Sequence, residues 1–214
     1  AQVGAMLLHH SGEPARLPMD TRQGGGVTAN VVGRLPGLIR QQIVLCAHYD
    51  TKVDTPGASD NGSGVAVMLA LAEQLCRREQ PYSFEFVAFT NQEYLPSGDD
   101  EYVRRRGNSF NSIDAVLNFD AVGLRNGPNT VAGFNLPPVM QANLERVTAN
   151  FPEVTWVEPW PEGNHSTFAF RGVPSLAFTA KVEDAHYHLR SDTIDQISRE
   201  RLDEMVMLGG KMVE

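Results

Sequence analysis

The apolar run at residues 43–47 constrains the fold more than any other segment of the chain. Its sequence, IVLCA, is apolar at every position and lacks the alternation of a half-exposed strand. A run of this kind is typical of a strand that is covered on both faces, as in a parallel sheet. The run leads directly into His48, and Asp50 follows two positions later. Polar side chains at this point lie at the carboxyl edge of a sheet, where open α/β folds place their binding sites.

Strand and helix signals alternate along the rest of the chain. Strands are predicted at residues 27–34, 43–47, 82–89, 113–119, 154–157 and 175–179. Helices are predicted at residues 63–78, 137–150 and 198–213, with a helical turn at 166–170 and an interruption of the last helix at residues 209–210. The Gly- and Pro-rich residues 11–26 are predicted to form a loop or hairpin. This order predicts an α/β fold with a mixed, mostly parallel central sheet and helices on both faces. Because no repeat or linker divides the chain, we expect residues 1–214 to form a single domain.

The composition is ordinary for a soluble globular protein and argues against two classes of partner. Of the 214 residues, 42% are hydrophobic and 21% are charged, and the net charge is −8. Nucleic-acid binding requires a basic face, so we expect no nucleic-acid partner. No apolar run approaches the roughly 18 residues of a transmembrane helix, so we expect no membrane span. Cys46 and Cys76 are expected to be buried free thiols. The chain begins without Met or a signal-like segment, which indicates a processed or trimmed terminus and leaves the compartment open. The oligomeric state is open as well.

Imidazole and carboxylate side chains follow the predicted strands. His48, Glu93 and Asp120 come after three of them, Asp60 lies in a Gly/Ser/Asn turn that opens a helix, and His188 precedes the last helix. Nitrogen and oxygen ligands of this kind suit zinc, or otherwise manganese or cobalt. Five ligands are too many for one tetrahedral zinc with an open position. They fit two divalent ions about 3.5–4 Å apart that share a carboxylate, and Asp60 is the natural bridge.

The motifs around these residues resemble the co-catalytic zinc aminopeptidases of metallopeptidase family 28. That family has His-x-Asp after a strand, as at residues 48–50, and Gly-Ala-x-Asp-Asn-x-x-Gly, as at residues 57–64. Further similar segments are found at residues 118–123, 163–168, 172–174 and 187–193. The resemblance runs from about residue 30 to about residue 197, which is nearly the whole chain.

The resemblance implies the fold of the zinc-dependent exopeptidases and a catalytic domain that removes N-terminal residues from peptides or proteins with a free N-terminus. One zinc ion would take His48 together with Glu93 or Asp120, and the other would take His188 together with the remaining carboxylate. Behind these ligands would lie Asp50 and Asp192, with Asp50 accepting the far N–H of His48. Tyr187 would donate its hydroxyl to the oxyanion. Asn164 and His165 would lie near the substrate, although a surface position on a helical turn is an equal alternative for His165.

Gln92 departs from the family pattern. The family has two consecutive acids here, of which the first is the general base and the second is a metal ligand, but this chain has Gln92 and Glu93. We assign Glu93 as the ligand, because the loss of a ligand threatens the whole site whereas the loss of a base slows the reaction, on the order of 10²–10⁴-fold. Three explanations stay open: a base recruited from the nearby acids, a binding relative that has given up fast hydrolysis, or an engineered change. The nearby acids are Asp99, Asp100 and Glu101, for which a solvated helix start is the alternative.

Two further functions compete with the aminopeptidase hypothesis. The family's glutaminyl cyclases bind a single zinc, which five ligands disfavour. Its non-hydrolytic binding relatives, such as the transferrin receptor and nicastrin, typically lose several ligands that this chain keeps. Aromatic candidates for a hydrophobic substrate pocket are Phe134, Trp156, Trp160 and Phe168, whereas Phe178 is expected in the core.

Overall fold

A computed structural model describes residues 2–14, 16, 18, 20, 24–182 and 186–214. The strands are β1 (Val31–Leu35), β2 (Gln42–His48), β3 (Ser83–Phe89), β4 (Ile113–Phe119), β5 (Asn129–Phe134), β6 (Thr155–Trp156) and β7 (Ser175–Ala180). The α-helices are α1 (Gln2–His9), α2 (Gly64–Leu75), α3 (Ser97–Arg106), α4 (Pro138–Thr148), α5 (His165–Ala169) and α6 (Arg199–Met212). Short helical turns lie at Ala58–Ser63, Ser109–Ser112 and Ile194–Gln196.

The strands form one sheet in the order β1-β3-β2-β4-β7-β5-β6. Four neighbouring pairs are parallel: β3 with β2, β2 with β4, β4 with β7, and β5 with β6. β1 runs antiparallel to β3, and β5 runs antiparallel to β7. The predicted mixed, mostly parallel sheet is therefore confirmed. Because β2, β3 and β4 are parallel neighbours, the segments that follow them meet at one edge of the sheet.

Helices cover both faces of the sheet, which explains why β2 lacks alternation. On one face, Leu45 of β2 is buried in a cluster with Leu71 of α2 and Leu208 of α6. On the other face, Val44 and Cys46 of β2 are buried in a cluster of residues from α3 and α5. Both sets of β2 side chains are fully buried, so the strand gains from apolar residues at every position.

Several sequence predictions are wrong in detail. Strand β5 and helix α1 were not predicted, α3 was considered only as a helix start at residues 99–101, and α6 continues through Gly209 and Gly210. A Cβ built on Gly209 would lie 3.0 Å from the Leu71 side chain, so the glycine lets α6 pass close to α2 instead of ending the helix. Cys76 is an exposed free thiol, contrary to prediction, while Cys46 is buried and free as expected.

The aromatic residues considered for a substrate pocket have different positions. Phe178 is fully buried in the core as predicted, but Phe168 also belongs to a core cluster and does not line an open pocket. Phe134 and Trp160 pack edge to face, with ring centroids 6.5 Å apart. Among the described helices, none combines the length and apolar character needed to cross a membrane.

Candidate metal centre

The five side chains predicted as ligands meet at the carboxyl edge of the sheet. His48 Nε2 lies 3.1 Å from Asp60 Oδ1 and 3.4 Å from Asp120 Oδ1. His188 Nε2 lies 3.1 Å from Asp60 Oδ2 and 3.1 Å from Glu93 Oε2. Asp60 therefore presents one carboxylate oxygen to each imidazole. Sequence left open which carboxylate accompanies His48, and the geometry pairs His48 with Asp120 and His188 with Glu93.

The two halves of this cluster adjoin each other. His48, Asp60 and Glu93 offer ligand atoms that all lie within 4.8 Å of one another. His48 is 1% exposed, whereas the side chain of His188 is 50% exposed. The two imidazoles of the cluster therefore differ in exposure, with His48 buried and His188 half exposed to solvent.

Asp192 holds the backbone of the Asp60 turn. The Asp192 side chain is fully buried, and its Oδ1 accepts a hydrogen bond from the Ser59 N–H at 2.8 Å and another from the Ser59 hydroxyl. Its Oδ2 accepts from the Asp60 N–H at 3.1 Å. The carboxylate of Asp192 therefore fixes the main chain from which the Asp60 side chain projects.

Asn61 connects the Asp60 turn to the segment after β4. Its Nδ2 donates to the Phe119 carbonyl at 2.9 Å, and its Oδ1 accepts from the Ala121 N–H at 3.1 Å. These bonds lie on both sides of Asp120. Asp60 and Asn61 also leave helical φ/ψ values inside the helical turn, and the peptide bond between them is cis. One amide side chain thus ties the shared carboxylate to the Asp120 segment.

Asp50 organises the Glu93 loop. Its Oδ1 accepts from the Gln92 N–H at 3.0 Å, and its Oδ2 accepts from the Glu93 N–H at 3.1 Å. His48 Nδ1 lies 3.0 Å from the Asp50 carbonyl oxygen and 3.6 Å from Asp50 Oδ1. The nearer acceptor for the far N–H of His48 is therefore the main chain of Asp50, not the carboxylate expected from sequence. The Asp50 carboxylate is already occupied by two backbone donors.

Backbone strain is concentrated at the cluster. Asn91, Ala121 and His188 have φ values of 59°, 54° and 61°. Positive φ is uncommon for residues other than glycine and is often found at functional sites. Here the strained residues precede Glu93, follow Asp120 and include a predicted ligand.

The electrostatics of the cluster favour a cation. Burial disfavours the charged form of His48, yet its contacts with Asp120, Asp50 and Asp60 raise its pKa to about 12. Burial, followed by the charge of Asp60, raises the pKa of Glu93. Burial also opposes ionisation of Asp50, but the nearby His48 imidazole and the hydrogen bonds from the N–H groups of Glu93 and Gln92 keep its pKa below the usual value. Negative charge is therefore crowded around a partly buried point.

One orphaned oxygen shows that these residues fit a metal ion. Glu93 Oε1 is buried and has no hydrogen-bond partner in the described part of the chain, and the Glu93 side chain is only 4% exposed. A buried carboxylate oxygen is costly unless a donor or a cation satisfies it. Imidazole nitrogens and carboxylate oxygens are donors that zinc accepts. The five side chains thus have the chemistry and the proximity of a divalent-metal centre.

Gln92 and Tyr187, the two residues predicted to act in catalysis, make different contacts. The Gln92 main chain is fixed by Asp50, which places this residue directly before Glu93 at the rim. The Tyr187 hydroxyl donates to the Ala180 carbonyl at 3.3 Å. Burial, followed by the charges of Asp60, Asp120 and Asp192, raises the pKa of Tyr187, so its proton is firmly held. To reach an oxyanion, the hydroxyl must leave Ala180.

Asn164 and His165 are buried and do not line an open surface. Asn164 Nδ2 donates to the Asp99 carboxylate at 3.1 and 2.9 Å. His165 is fully buried, with Nε2 2.8 Å from the Trp160 carbonyl and its ring 4.6 Å from the Phe134 ring. Burial lowers the pKa of His165. The alternative of a surface position for His165 is wrong, and substrate contact by either residue stays a prediction.

The three acids considered as a recruited base have different surroundings. Asp99 is buried against Asn164 and the Thr167 hydroxyl, Asp100 is exposed, and Glu101 pairs with Arg104 and Arg105. The expected solvated helix start therefore describes Asp100 and Glu101 but is wrong for Asp99.

Lys52 is a residue of the site that the sequence analysis missed. Its Nζ lies 3.3 Å from Glu93 Oε2 and 4.3 Å from the centroid of the Tyr94 ring. The signal in the sequence that could have identified Lys52 was its position two residues after Asp50. A flexible lysine has no spacing rule that identifies its partner.

The sheet and the cluster together define an α/β protein with a candidate imidazole–carboxylate metal centre. Residues 30–212 match peptidase family M28. Because this match spans most of the chain, the chain belongs to peptidase family M28, and the resemblance found in the motifs is confirmed.

Curated relatives of the chain are aminopeptidases. The chain is 28% identical over 175 residues to aminopeptidase YwaD of Bacillus subtilis strain 168, which covers 76% of this chain and 38% of the relative. It is 23% identical over 214 residues to probable leucine aminopeptidase 2 of Aspergillus oryzae, which covers 85% of this chain and 43% of the relative. The chain therefore spans less than half the length of these relatives.

Solved structures share the fold. The zinc aminopeptidase BSAP from Bacillus subtilis superposes with a TM-score of 0.77 at 24% identity, covering 86% of this chain and 49% of that protein. A glutaminyl cyclase from an Acidobacteriales bacterium gives a TM-score of 0.73 at 25% identity, covering 86% of this chain and 72% of that protein.

Proposed function

We propose that this chain is the catalytic part of a zinc aminopeptidase that removes N-terminal residues from short peptides or from proteins with a free N-terminus. One observation carries the proposal: Asp60 places its two carboxylate oxygens 3.1 Å from two different imidazoles, each of which contacts a further carboxylate. Membership of peptidase family M28 and the aminopeptidase relatives support it. The expected extent of the domain, residues 1–214, is part of the proposal.

The proposed ligand sets follow the geometry. His48 and Asp120 would hold one divalent ion, His188 and Glu93 would hold the other, and Asp60 would serve both. Such ions supply Lewis-acid polarisation of a carbonyl and acidify water. Asp50 and Asp192 position the ligands by fixing the Glu93 loop and the Asp60 turn. Tyr187 would donate its hydroxyl to the developing oxyanion once it releases Ala180.

In this proposal, Gln92 limits the rate of peptide hydrolysis. Its neutral amide cannot accept a proton from water as a carboxylate does. Neither Asp99 nor Glu101 replaces it, because Asp99 is buried in its own hydrogen bonds and Glu101 is paired with arginines. We therefore expect turnover that is slow for the family.

The test compares the zinc-loaded chain with its Gln92→Glu variant on aminoacyl chromogenic substrates, with elemental analysis of both. We expect two metal ions per chain and a gain in kcat on the order of 10²–10⁴-fold for Gln92→Glu, because a positioned base contributes that much. Gln92→Asn is the matched control, since it changes the side chain without adding a base, and it should show no gain. A chain that binds no metal would overturn the proposal and favour an interaction domain.

A glutaminyl-cyclase-like activity is the second candidate. It is favoured by the glutaminyl cyclase that shares the fold over 72% of its own length, a larger share than for BSAP. The five converging side chains argue against it, because they exceed the needs of a single zinc. Release of ammonia from peptides with N-terminal Gln, together with one bound ion per chain, would favour a glutaminyl cyclase over an aminopeptidase.

A further inference from the structure

We propose that Lys52 selects peptides that carry a carboxylate close to the scissile bond, either on the second side chain or at a free C-terminus. This inference rests on the proposed peptidase function and names the substrate class of the same site. It concerns a residue at the rim of the cluster that is not a predicted ligand.

Lys52 is held in place by three contacts. Its Nζ lies 3.3 Å from Glu93 Oε2, the same oxygen that lies 3.1 Å from His188 Nε2. It also donates to the Glu93 carbonyl and lies over the Tyr94 ring, 4.3 Å from the ring centroid. The Tyr94 hydroxyl in turn accepts from the Val53 N–H at 2.7 Å. The ammonium is therefore fixed beside the oxygen through which Glu93 contacts His188.

The charge of Lys52 would be only partly neutralised in the loaded site. Its ion-pair partner is Glu93, 3.3 Å away, and a Glu93 carboxylate that holds a divalent ion would share its negative charge with that ion. Metal-bound imidazoles are neutral and add no negative charge. Position 92 adds no further carboxylate, because it is glutamine.

The charged pair of Arg190 and Asp54, close in sequence to His188 and Lys52, is balanced within itself. Arg190 donates to Asp54 Oδ2 at 2.7 Å, and both side chains are exposed. Lys52 differs because its side chain is only 28% exposed. Partial burial reduces screening by water and salt, so its charge acts on a bound ligand more strongly than a surface charge does.

An incoming carboxylate suits this location. It would meet the Lys52 ammonium beside Glu93 on the side of the cluster where His188 is half exposed. A peptide with a neutral group at the same place would leave the positive charge without a new partner. Charge complementarity of this kind sets specificity more than raw affinity.

The experiment measures both binding and turnover of four matched peptides by the zinc-loaded chain. Leu-Asp-amide against Leu-Asn-amide isolates an acidic side chain, and Leu-Asn with a free carboxylate against Leu-Asn-amide isolates the C-terminus. Calorimetry gives Kd even if Gln92 makes turnover slow. We expect at least one carboxylate peptide to bind about fivefold more tightly than its neutral match, with the preference shrinking as NaCl is raised.

Variants of Lys52 distinguish a role in selecting peptides from a role in holding Glu93 in place. Lys52→Met removes the charge at similar length and should abolish the preference, whereas Lys52→Arg keeps the charge and should retain part of it. Zinc content is measured on the same samples. Equal affinity for charged and neutral peptides in the parent chain would overturn the inference, as would a Lys52→Met variant that loses zinc and all four peptides equally. Zinc-loaded parent and Gln92→Glu chains that bind these peptides but cleave none would instead overturn the proposed peptidase function.

Discussion

Buried carboxylates in this chain differ in what neutralises them. Glu85 is satisfied by arginines, since its oxygens accept from Arg34 and Arg106 at 2.8 and 2.7 Å. Asp99 is satisfied by neutral donors, Asn164 and Thr167. Glu93 Oε1 has no donor in the described part of the chain. At the scale of single residues, this contrast separates structural acids from the acid that we assign to a metal ion.

Asp99 gives a pH prediction. Burial raises its pKa above the ordinary 3.8, so the folded protein holds this proton more tightly than the unfolded chain. Stability contributed by the protonated form is therefore lost as pH rises from 3.8 through the folded pKa. Asp99→Asn cannot lose a proton, so its free energy of unfolding should rise relative to the parent over that window. Urea unfolding at a series of pH values measures the difference.

The neighbouring acid on the same helix provides the control for this experiment. Asp100 is exposed, so Asp100→Asn should follow the parent over the same pH range more closely than Asp99→Asn does. Parallel curves for the parent and Asp99→Asn would contradict the account of Asp99 as a buried acid held by neutral donors.

Single residues were predictable from sequence where a spacing rule applied. His48, Glu93 and Asp120 follow strands, and parallel strands bring such residues to one edge. Asp99 was misjudged, because its burial depends on α5, which is distant in sequence and supplies Thr167. Lys52 was missed, because its contact with Glu93 is formed by two loops whose approach no local pattern encodes.

At the scale of elements, Glu85 links strand β3 to strand β1 and to helix α3. It is 1% exposed and contacts Arg34 of β1 as well as Tyr102 and Arg106 of α3. Replacing it by Gln leaves the mostly buried Arg106 without its counter-charge. Removal of one partner from a buried ion pair costs about 3–5 kcal/mol. We therefore expect Glu85→Gln to lower the free energy of unfolding by about 3 kcal/mol, measured by chemical denaturation.

Glu101→Gln is the control for Glu85→Gln, because Glu101 also lies among arginines but on the exposed surface of α3. Exposed ion pairs contribute little to stability, so this variant should resemble the parent. Equal losses for the two variants would show that the Glu85 contacts are no stronger than surface pairs.

Elements with a strong pattern were found from sequence, and elements defined by tertiary contact were not. Strand β4 was predicted with the bounds that the structure has, because residues 113–119 are largely apolar. Strand β5 was missed because Asn129, Thr130 and Gly133 interrupt its apolar pattern, and its antiparallel pairing with β7 defines it. Helix α6 continues through two glycines because packing against α2 outweighs their low helix propensity.

At the scale of the whole molecule, metal binding should stabilise the fold. The chain has a net charge of −8, and part of that charge is crowded into the cluster. A ligand that binds only the folded state at 100 times its Kd adds about 2.7 kcal/mol. For a chain of this size, that corresponds to roughly 5–10 °C in Tm.

Removal of the metal is therefore predicted to lower Tm by about this amount, as measured by calorimetry of zinc-loaded and EDTA-treated protein. Asp60→Asn removes the carboxylate shared by both ligand sets, and its Tm should be insensitive to EDTA. An equal EDTA effect on the parent and on Asp60→Asn would place the stabilising metal somewhere other than this cluster.

The most direct test of the account is a crystal structure of the zinc-loaded chain with anomalous data collected on both sides of the zinc absorption edge. We predict two zinc peaks that share Asp60, one beside His48 and Asp120 and the other beside His188 and Glu93. A single peak, or peaks that lie away from these five side chains, would contradict the claim that they form a paired metal centre.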